Sequence, residues 1–223
     1  ECFTGKPFAN YWMHNGYINV DNVKMSKSLG NFKTVRDVAN VYGYEPIRYL
    51  MISSSYRSPI NYSIDIIEQC KASLSRLYTC RDSIDFELKN AAEGELNAEI
   101  KAQLDKRVTQ FIDAMDDDLN TADGIAAVFE LVRDINSLVI GKGESKATAE
   151  YAAKIFDELT GVLGLVYNRK TEVLDEEIDA MIEARTQARK DKNWAEADRI
   201  RDELKAQGIV LEDTPQGVKW HRE

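Results

Sequence analysis

The sequence predicts a mostly helical protein with three parts: the end of a sheet-containing domain, a helical bundle and a small α+β unit. Short aromatic and β-branched runs occur near both ends of the chain, which predicts strands there. Between them, apolar residues recur with helical spacing and are separated by polar breaks. We place the three parts at residues 1–62, 63–170 and 171–223.

The first part begins with strand-like runs. Tyr11-Trp12-Met13 is followed by Asn15-Gly16, a strong turn dipeptide, and Tyr17 to Val20 resumes the run. We expect Trp12 to be packed in the core. His14 would lie at a strand end, where it could approach a nucleotide or substrate; the alternative is a packed histidine bonded to backbone.

Two short helices and a connector complete the first part. Thr34 with Asp37 three residues later predicts a capping box for a helix that ends at Gly43. The apolar face of that helix would consist of Val35, Val38, Val41 and Tyr42. Pro46 suits the first turn of a second, largely buried helix. Residues 53–63 are predicted to be a connector, because Pro59 blocks a continuous helix.

Four helices are predicted in the second part. The first three have apolar residues at helical spacing, and Asp116–Thr121 ends the second and caps the third. Gly141-Lys142-Gly143 breaks the chain before a fourth helix from Ala149 to Tyr167. Four antiparallel helices with short loops predict a bundle.

The third part is predicted to contain two helices and a β-hairpin. Thr171–Leu174 is a hinge candidate, and Asp175 can cap the first helix. Trp194 begins the second, which Gly208 ends. Ile209–Leu211 and Val218–Trp220 flank a turn and predict paired strands.

Bulk composition excludes several classes of function. No apolar run reaches the ~20 residues needed to span a bilayer, and no signal segment follows Glu1, so we expect a piece of a longer protein. Cys2, Cys70 and Cys80 have neither metal-like nor disulfide-like spacing, which favours buried or half-buried thiols in a reducing cytoplasm. Net charge is −9, with +3 in residues 1–62 and −12 in the rest, so any RNA contact must use local patches.

The most informative motif is Lys24-Met25-Ser26-Lys27-Ser28, here called the lysine loop, which Gly30 follows closely. Two ammonium groups and two hydroxyls can grip phosphates and stabilise an oxyanion as its charge develops. From spacing alone, a solvated basic surface loop is an equally good interpretation.

A second candidate site lies near the C-terminus. Basic side chains are interleaved with the indole of Trp194, which is what single-stranded RNA needs: charge for phosphates and an aromatic face for a base. Five acidic residues lie among them and cancel much of the field, so composition alone favours a salt-bridged helix. The basic residues are Arg185, Arg189, Lys190, Lys192, Arg199, Arg201 and Lys205.

The lysine loop resembles the second ATP-binding loop of class I aminoacyl-tRNA synthetases, the KMSKS motif. With the flanking runs 11–14, 29–32 and 56–63, the sequence looks like the bacterial cysteinyl-tRNA synthetase family. The resemblance implies a Rossmann-type catalytic domain, with Lys24 and Lys27 catalytic. It also implies an ATP site formed by Lys24, Met25, Ser26, Lys27, Ser28 and, less directly, His14.

The C-terminal part resembles the anticodon-reading unit of the same family. Trp194 would stack on a base, Arg189 would contact a base edge or phosphate, and Asp198 and Asp213 would accept hydrogen bonds from base amino groups. The implied partners are tRNA(Cys), ATP with Mg²⁺, and L-cysteine, for a cytoplasmic monomer. The family's zinc ligands would lie upstream of Glu1, and no metal ligand is assigned in this chain.

Three other interpretations stay open. A cysteine ligase paralogue would use the same adenylation chemistry on an amino sugar, against which the residues from Arg189 to Trp220 argue. A non-catalytic tRNA-binding module is disfavoured by the intact lysine loop. A plain helical interaction domain would bind neither nucleotide nor RNA. Because the family's other ATP motif is absent here, we expect this chain alone not to activate cysteine.

Overall fold

A computed structural model describes residues 1–169, 173–214 and 217–222. The chain divides into two compact units, one of residues 1–74 with 109–127 and one of residues 75–108 with 128–223. In the described ranges no helix is both long and apolar enough to cross a membrane. The helices are α1 (Val35–Tyr42), α2 (Tyr44–Ile52), α3 (Ile64–Asn90), α4 (Ala98–Asp116), α5 (Thr121–Leu138), α6 (Lys146–Leu163), α7 (Val173–Lys190) and α8 (Trp194–Ala206).

A three-stranded sheet organises the first unit. β1 (Ile18–Val20) lies between β2 (Val23–Lys24), which is antiparallel to it, and β3 (Ile60–Tyr62), which is parallel. The predicted connector over residues 53–63 therefore contains a strand. The crossover between β1 and β3 contains α1 and α2, as parallel pairing requires a long connection.

The prediction of a strand at Tyr11–Met13 is wrong. These residues form no strand in the described part of the chain, and Trp12 is 68% exposed and contacts the ring of Phe8. Asn15-Gly16 does not turn a hairpin. β1 is already paired on both edges, and the Gly16 N–H donates instead to the Tyr56 carbonyl at 2.7 Å.

The predicted capping box of α1 is confirmed. The Asp37 N–H donates to the Thr34 hydroxyl and the Thr34 N–H donates to the Asp37 carboxylate, each at 3.1 Å. The Thr34 hydroxyl also donates to the Asp37 carboxylate at 2.6 Å, and this bond, together with the one from the Thr34 N–H, lowers the pKa of Asp37. The predicted apolar face is partly wrong, because Val35 and Val41 are exposed while Ala39 is buried.

The α1 boundary and α2 follow the prediction closely. Gly43 ends α1 with φ of 81°, a conformation that glycine adopts without strain. Pro46 lies in the first turn of α2, where its missing N–H costs no hydrogen bond. The predicted burial of Ile47, Tyr49 and Leu50 is confirmed.

The second unit contains most of the helical bundle that the apolar spacing predicts over residues 63–170, while residues 63–74 and 109–127 belong to the first unit. Arg81 of α3 donates to both carboxylate oxygens of Asp157 on α6, at 2.7 and 2.9 Å. Arg107 of α4 donates to Asp134 of α5 at 2.7 Å. These bonds join the helices around an apolar core whose largest fully buried side chains are Leu77, Ile84, Leu104, Val128, Leu131, Ile135, Val139 and Phe156.

The fourth bundle helix is shifted from its predicted bounds of Ala149 to Tyr167. α6 starts three residues earlier because the Ser145 hydroxyl accepts from the Thr148 N–H at 3.3 Å. It ends at Leu163 because Gly164 takes the left-handed conformation, with φ of 64°.

The C-terminal part contains α7, α8 and an antiparallel hairpin of β4 (Ile209–Thr214) and β5 (Gly217–Arg222). Its core is formed by Ile178, Ile200, Leu204 and Ile209. α7 starts at Val173, so Asp175 lies inside the helix, and Val173 and Leu174 of the predicted hinge are helical. The predicted hinge residues Thr171 and Glu172 lie outside the described residues.

The cysteines agree in part with the prediction of buried thiols. Cys70 and Cys80 are buried and unbridged in α3, whereas Cys2 is exposed. Burial raises the pKa of the Cys70 thiol to about 11, which keeps it protonated and unreactive at neutral pH.

Candidate functional site

The lysine loop leaves the sheet at the end of a tight hairpin. Asp21 and Asn22 connect β1 to β2 with φ of 50° and 65°, the positive values that a two-residue hairpin turn of this type requires. Lys24 is the last residue of β2, and the Met25 N–H donates to the Ile18 carbonyl at 3.2 Å. The start of the loop is therefore fixed to the sheet.

Asn31 holds the two ends of the loop together. Its Oδ1 accepts from the Ser26 N–H at 2.9 Å, and its Nδ2 donates to the Lys24 carbonyl at 3.2 Å. Between them Lys27–Leu29 forms one turn of 3-10 helix, closed by Gly30 with φ of 68°. The backbone is thus bent so that Lys24 and Lys27 emerge from one compact turn.

Both lysines of the loop are exposed, and each lies near an aromatic ring. Lys24 Nζ is 4.6 Å from the centroid of the Tyr17 ring, and Lys27 Nζ is 5.7 Å from that of Phe32. Within the described ranges neither forms an ion pair with a carboxylate. Their charge is therefore available to an anion, and the rings limit where the ammonium groups lie.

The remaining members of the loop face different surroundings. The hydroxyls of Ser26 and Ser28 lie 3.2 Å apart and can act together as donors. Met25 is half-buried and lines a small apolar cavity of about 50 Å³ with Ile18 and Leu50. Met25 thus attaches the loop to the apolar side of the first unit while the polar residues stay accessible.

His14 is not at a strand end. It lies in an irregular segment four residues before β1 and is exposed, so the alternative of a packed histidine is wrong as well. In the described part of the chain His14 forms no hydrogen bond, ion pair or ring contact with the lysine loop. Its role in the ATP site stays a prediction.

Sequence reasoning missed the three side chains that shape the loop. Asn31 could have been found, because asparagine after a glycine commonly bonds to neighbouring backbone. Tyr17 and Phe32 flank the lysines in sequence, but an aromatic residue beside a lysine predicts no particular contact. Only the fold brings their rings under the ammonium groups.

The second candidate site lies at the turn between α7 and α8. Arg189 is exposed in the last turn of α7, and Trp194 is 59% exposed as the first residue of α8. The turn is closed by the Lys192 N–H, which donates to the Arg189 carbonyl at 3.1 Å. Asp198 follows Trp194 by four residues and therefore lies on the same face of α8.

Carboxylates pair with much of the positive charge near this turn. Arg199 bonds to Glu196 at 2.7 Å and to Glu203 at 2.9 Å, which raises the pKa of Arg199. Arg201 pairs with Asp198 at 3.2 Å. The salt-bridged helix that composition favours is thus confirmed for α8.

The other charged residues named for the C-terminal part lie in different surroundings. Arg185 is buried, so it does not belong to the basic surface. Asp213 lies opposite Val218 in the β4–β5 hairpin, but its side chain is outside the described residues. Lys190, Lys192 and Lys205 are exposed and remain as surface cations.

The described residues contain no group of three or more His, Cys, Asp or Glu side chains that could hold a metal ion. Cys70 and Cys80 are buried in α3 and lie about 15 Å apart along its axis, so they do not share a metal site. The described residues therefore do not fit a zinc site.

Three family models match successive parts of the chain. They are the tRNA synthetases class I (C) catalytic domain over residues 1–72, the DALR domain over residues 110–167, and the cysteinyl-tRNA ligase anticodon binding domain over residues 171–220. The lysine loop lies in the first match, and Arg189 and Trp194 lie in the third.

Curated relatives match along the whole chain. A cysteine–tRNA ligase of Caldicellulosiruptor saccharolyticus is 48% identical over 225 residues, and one of Halalkalibacterium halodurans is 48% identical over 222 residues. Each alignment covers 100% of this chain and 48% of the relative. The chain thus spans about half the length of the curated relatives it matches.

A solved structure shares the fold. The LeuRS–tRNA–LeuAMS ternary complex of Agrobacterium radiobacter K84 agnB2 matches with a TM-score of 0.51 and 21% identity, covering 68% of this chain and 22% of that one. The three family models and the curated relatives identify the family more specifically than this structural similarity does. Together they show that the chain belongs to the cysteinyl-tRNA synthetase family, of which it represents the C-terminal portion.

Proposed function

We propose that the chain is part of a cysteine–tRNA ligase, which activates L-cysteine with ATP and transfers it to tRNA(Cys). The observation that carries this proposal is the lysine loop. Its two exposed lysines have no carboxylate partner in the described part of the chain, and Asn31 holds the backbone between them in a compact turn. A charged, pre-shaped turn of this kind suits a polyphosphate.

In the activation step, a carboxylate oxygen of cysteine attacks the α-phosphorus of ATP. A bond forms between that oxygen and phosphorus, and the bond from the α-phosphorus to the bridging oxygen breaks. Pyrophosphate leaves with the electron pair. Lys27, assisted by Lys24, stabilises the negative charge that grows on the leaving group, while the hydroxyls of Ser26 and Ser28 donate to phosphate oxygens.

In the transfer step, a hydroxyl of the terminal ribose of tRNA attacks the carbonyl carbon of cysteinyl-adenylate, and AMP leaves. The C-terminal part of this chain supplies recognition instead of chemistry. Trp194 offers an exposed aromatic face to an anticodon base. Arg189 and Asp198, near the same turn, and Asp213 on β4 would bond to base edges or phosphates.

The resemblance implies two metals, Mg²⁺ and zinc. Mg²⁺ would accompany ATP. Zinc, which the resemblance also implies, does not fit the described residues. The monomeric state and the cytoplasmic location are part of the same proposal and rest on the resemblance to the family.

The lysine loop is tested by Lys27→Ala in the full-length ligase. The rate of cysteine-dependent exchange between ATP and pyrophosphate should fall about 10²–10³-fold, which is the scale for losing one contact to a developing oxyanion. Lys154→Ala, which removes an exposed lysine from α6, is the matched control and should leave the rate unchanged. A Lys27→Ala rate within twofold of wild type would remove Lys27 from the mechanism.

The RNA site is tested by measuring the affinity of this chain for tRNA(Cys) at two salt concentrations, beside the same tRNA with its anticodon changed. The authentic anticodon should bind more tightly at both salts. Trp194→Ala should weaken binding by about 1–3 kcal/mol, the scale of one base stacked on an aromatic ring. Trp12→Ala removes another exposed indole and serves as control. Binding that ignores the anticodon would refute the assignment.

A further inference from the structure

Three side chains join the region between α2 and β3 to the turn between α4 and α5. The Tyr56 hydroxyl donates to Asp118 Oδ1 at 2.9 Å, and Arg57 Nη2 lies 3.0 Å from Asp118 Oδ2. Arg57 Nε donates to the Tyr56 hydroxyl at 3.0 Å, which closes the triangle. Both carboxylate oxygens of Asp118 are thus occupied, each by a different neighbour.

This cluster crosses the boundary between two family models. Tyr56 and Arg57 lie in the match to the class I catalytic domain, and Asp118 lies in the match to the DALR domain. All three belong to the first compact unit. Hence the cluster ties the start of the helical region to the domain that carries the lysine loop.

A short series of contacts leads from the cluster to Lys24. The Tyr56 carbonyl accepts from the Gly16 N–H at 2.7 Å, and the Tyr17 carbonyl accepts from the Ile60 N–H at 2.8 Å. The packing here is tight, because a Cβ on Gly16 would lie 2.3 Å from the Ser58 carbonyl oxygen. The ring of Tyr17 in turn lies 4.6 Å from Lys24 Nζ.

The backbone at Asp118 is held in an uncommon conformation. Asp118 and Leu119 have φ of 57° and 55°, a left-handed region that residues other than glycine rarely adopt. The turn is fixed by the Leu119 N–H, which donates to the Met115 carbonyl at 3.2 Å. Strain of this kind persists where the surrounding structure requires a side chain in one place.

Stability alone does not account for the cluster. The side chains of Arg57 and Asp118 are 67% and 46% exposed, and ion pairs so exposed contribute little to folding. The hydrogen bond to Tyr56 and the charge of Asp118 raise the pKa of Arg57. What the geometry does provide is a fixed orientation between two segments distant in sequence.

We propose that Tyr56, Arg57 and Asp118 form a clamp that positions Lys24, acting through Gly16 and Tyr17. The clamp residues are positioning residues that touch no substrate. This proposal rests on the proposed function, because it gives Lys24 a place from which to stabilise pyrophosphate. Loss of the clamp lets Tyr17 and the β1–β2 hairpin shift, and the Lys24 ammonium with them.

The kinetic test uses Arg57→Ala, Asp118→Ala and the double variant in the full-length ligase. Each single variant should lower kcat of ATP–pyrophosphate exchange about tenfold with little change in KM for cysteine. The double variant should lose no more than either single one, because one clamp is broken in every case. Arg57→Lys, which keeps the charge opposite Asp118, should recover part of the rate.

Arg133→Ala is the matched control. Arg133 is also 67% exposed and is paired with Glu130 on the same helix, α5. It should leave both kinetic constants unchanged. Single clamp variants within twofold of wild type, or a double variant whose loss is the product of the two single losses, would overturn the proposal.

A second readout does not depend on activity. Amide hydrogen exchange over residues 16–26 should be about tenfold faster in Arg57→Ala and Asp118→Ala than in wild type or in Arg133→Ala. Unchanged exchange there would also overturn the clamp. If the wild-type protein shows no cysteine-dependent exchange of pyrophosphate, the proposed function fails, while the hydrogen-exchange comparison still decides whether the clamp exists.

Discussion

Asn31→Ala separates the shape of the lysine loop from its charge. The substitution removes the acceptor of the Ser26 N–H, at 2.9 Å, and the donor to the Lys24 carbonyl, at 3.2 Å, and leaves both lysines in place. Each such bond contributes about 0.5–1.5 kcal/mol net, so the ordered loop loses about 1–3 kcal/mol relative to disordered states. If activation requires the ordered loop, kcat should fall roughly 5- to 150-fold.

The assay is cysteine-dependent exchange of pyrophosphate by the full-length ligase, with thermal unfolding measured in parallel. Asn90→Ala is the control, since Asn90 Nδ2 also donates to a backbone carbonyl, that of Phe86 at 2.8 Å, but does so at the end of α3. The control should leave kcat unchanged. An Asn31→Ala enzyme with kcat within twofold of wild type would show that the turn does not need to be preformed, and the reasoning from geometry would fail.

Two further predictions concern stability and thiol chemistry. Gly16→Ala should destabilise the protein by about 1–3 kcal/mol in thermal unfolding, because the added Cβ would lie 2.3 Å from the Ser58 carbonyl oxygen. Gly161→Ala is the control, since a Cβ at Gly161 on α6 would meet no atom within 4 Å, and it should be neutral or stabilising. Alkylation of the folded protein at pH 8 should label Cys2 and spare Cys70. Labelling of Cys70 at the rate of Cys2 would contradict this protection. Burial also raises the Cys70 pKa from 9.0 to about 11, because the folded state disfavours the thiolate. The free energy of unfolding should therefore fall as the pH rises through that interval.

Local signals predicted the helices well because each is encoded within a few neighbouring residues. The Thr34–Asp37 capping box depends on side chains that bond to neighbouring backbone, and the end of α8 depends on Gly208, whose φ of 74° suits glycine. The same kind of signal was available at Gly164 and was overlooked, which placed the end of α6 four residues too late.

The strands were harder to predict, because a strand depends on its partner. Ile60–Tyr62 is β3 only because β1 lies beside it, and nothing within three residues distinguishes it from a connector. Tyr11–Met13 has the composition of a strand but no partner in the described ranges. The contacts of Asp118 with Tyr56 and Arg57 are equally non-local. Asn31 contacts residues only five and seven positions away, but the motif itself does not specify the turn that brings them together.

The two candidate sites differ in how their charge is held, and this difference suits their proposed tasks. The lysines of the lysine loop have no carboxylate partner among the described residues, as stabilising a leaving group requires. On α8, by contrast, Arg199 and Arg201 are engaged by carboxylates.

Recognition at the C-terminal part should therefore depend more on the Trp194 ring and on hydrogen bonds than on net charge. If Lys190, Lys192 and Lys205 alone neutralise phosphates, the logarithm of the tRNA affinity should fall with the logarithm of salt concentration with a slope of only about −2. Such a shallow slope lets a protein with a net charge of −9 select an anticodon without binding RNA indiscriminately.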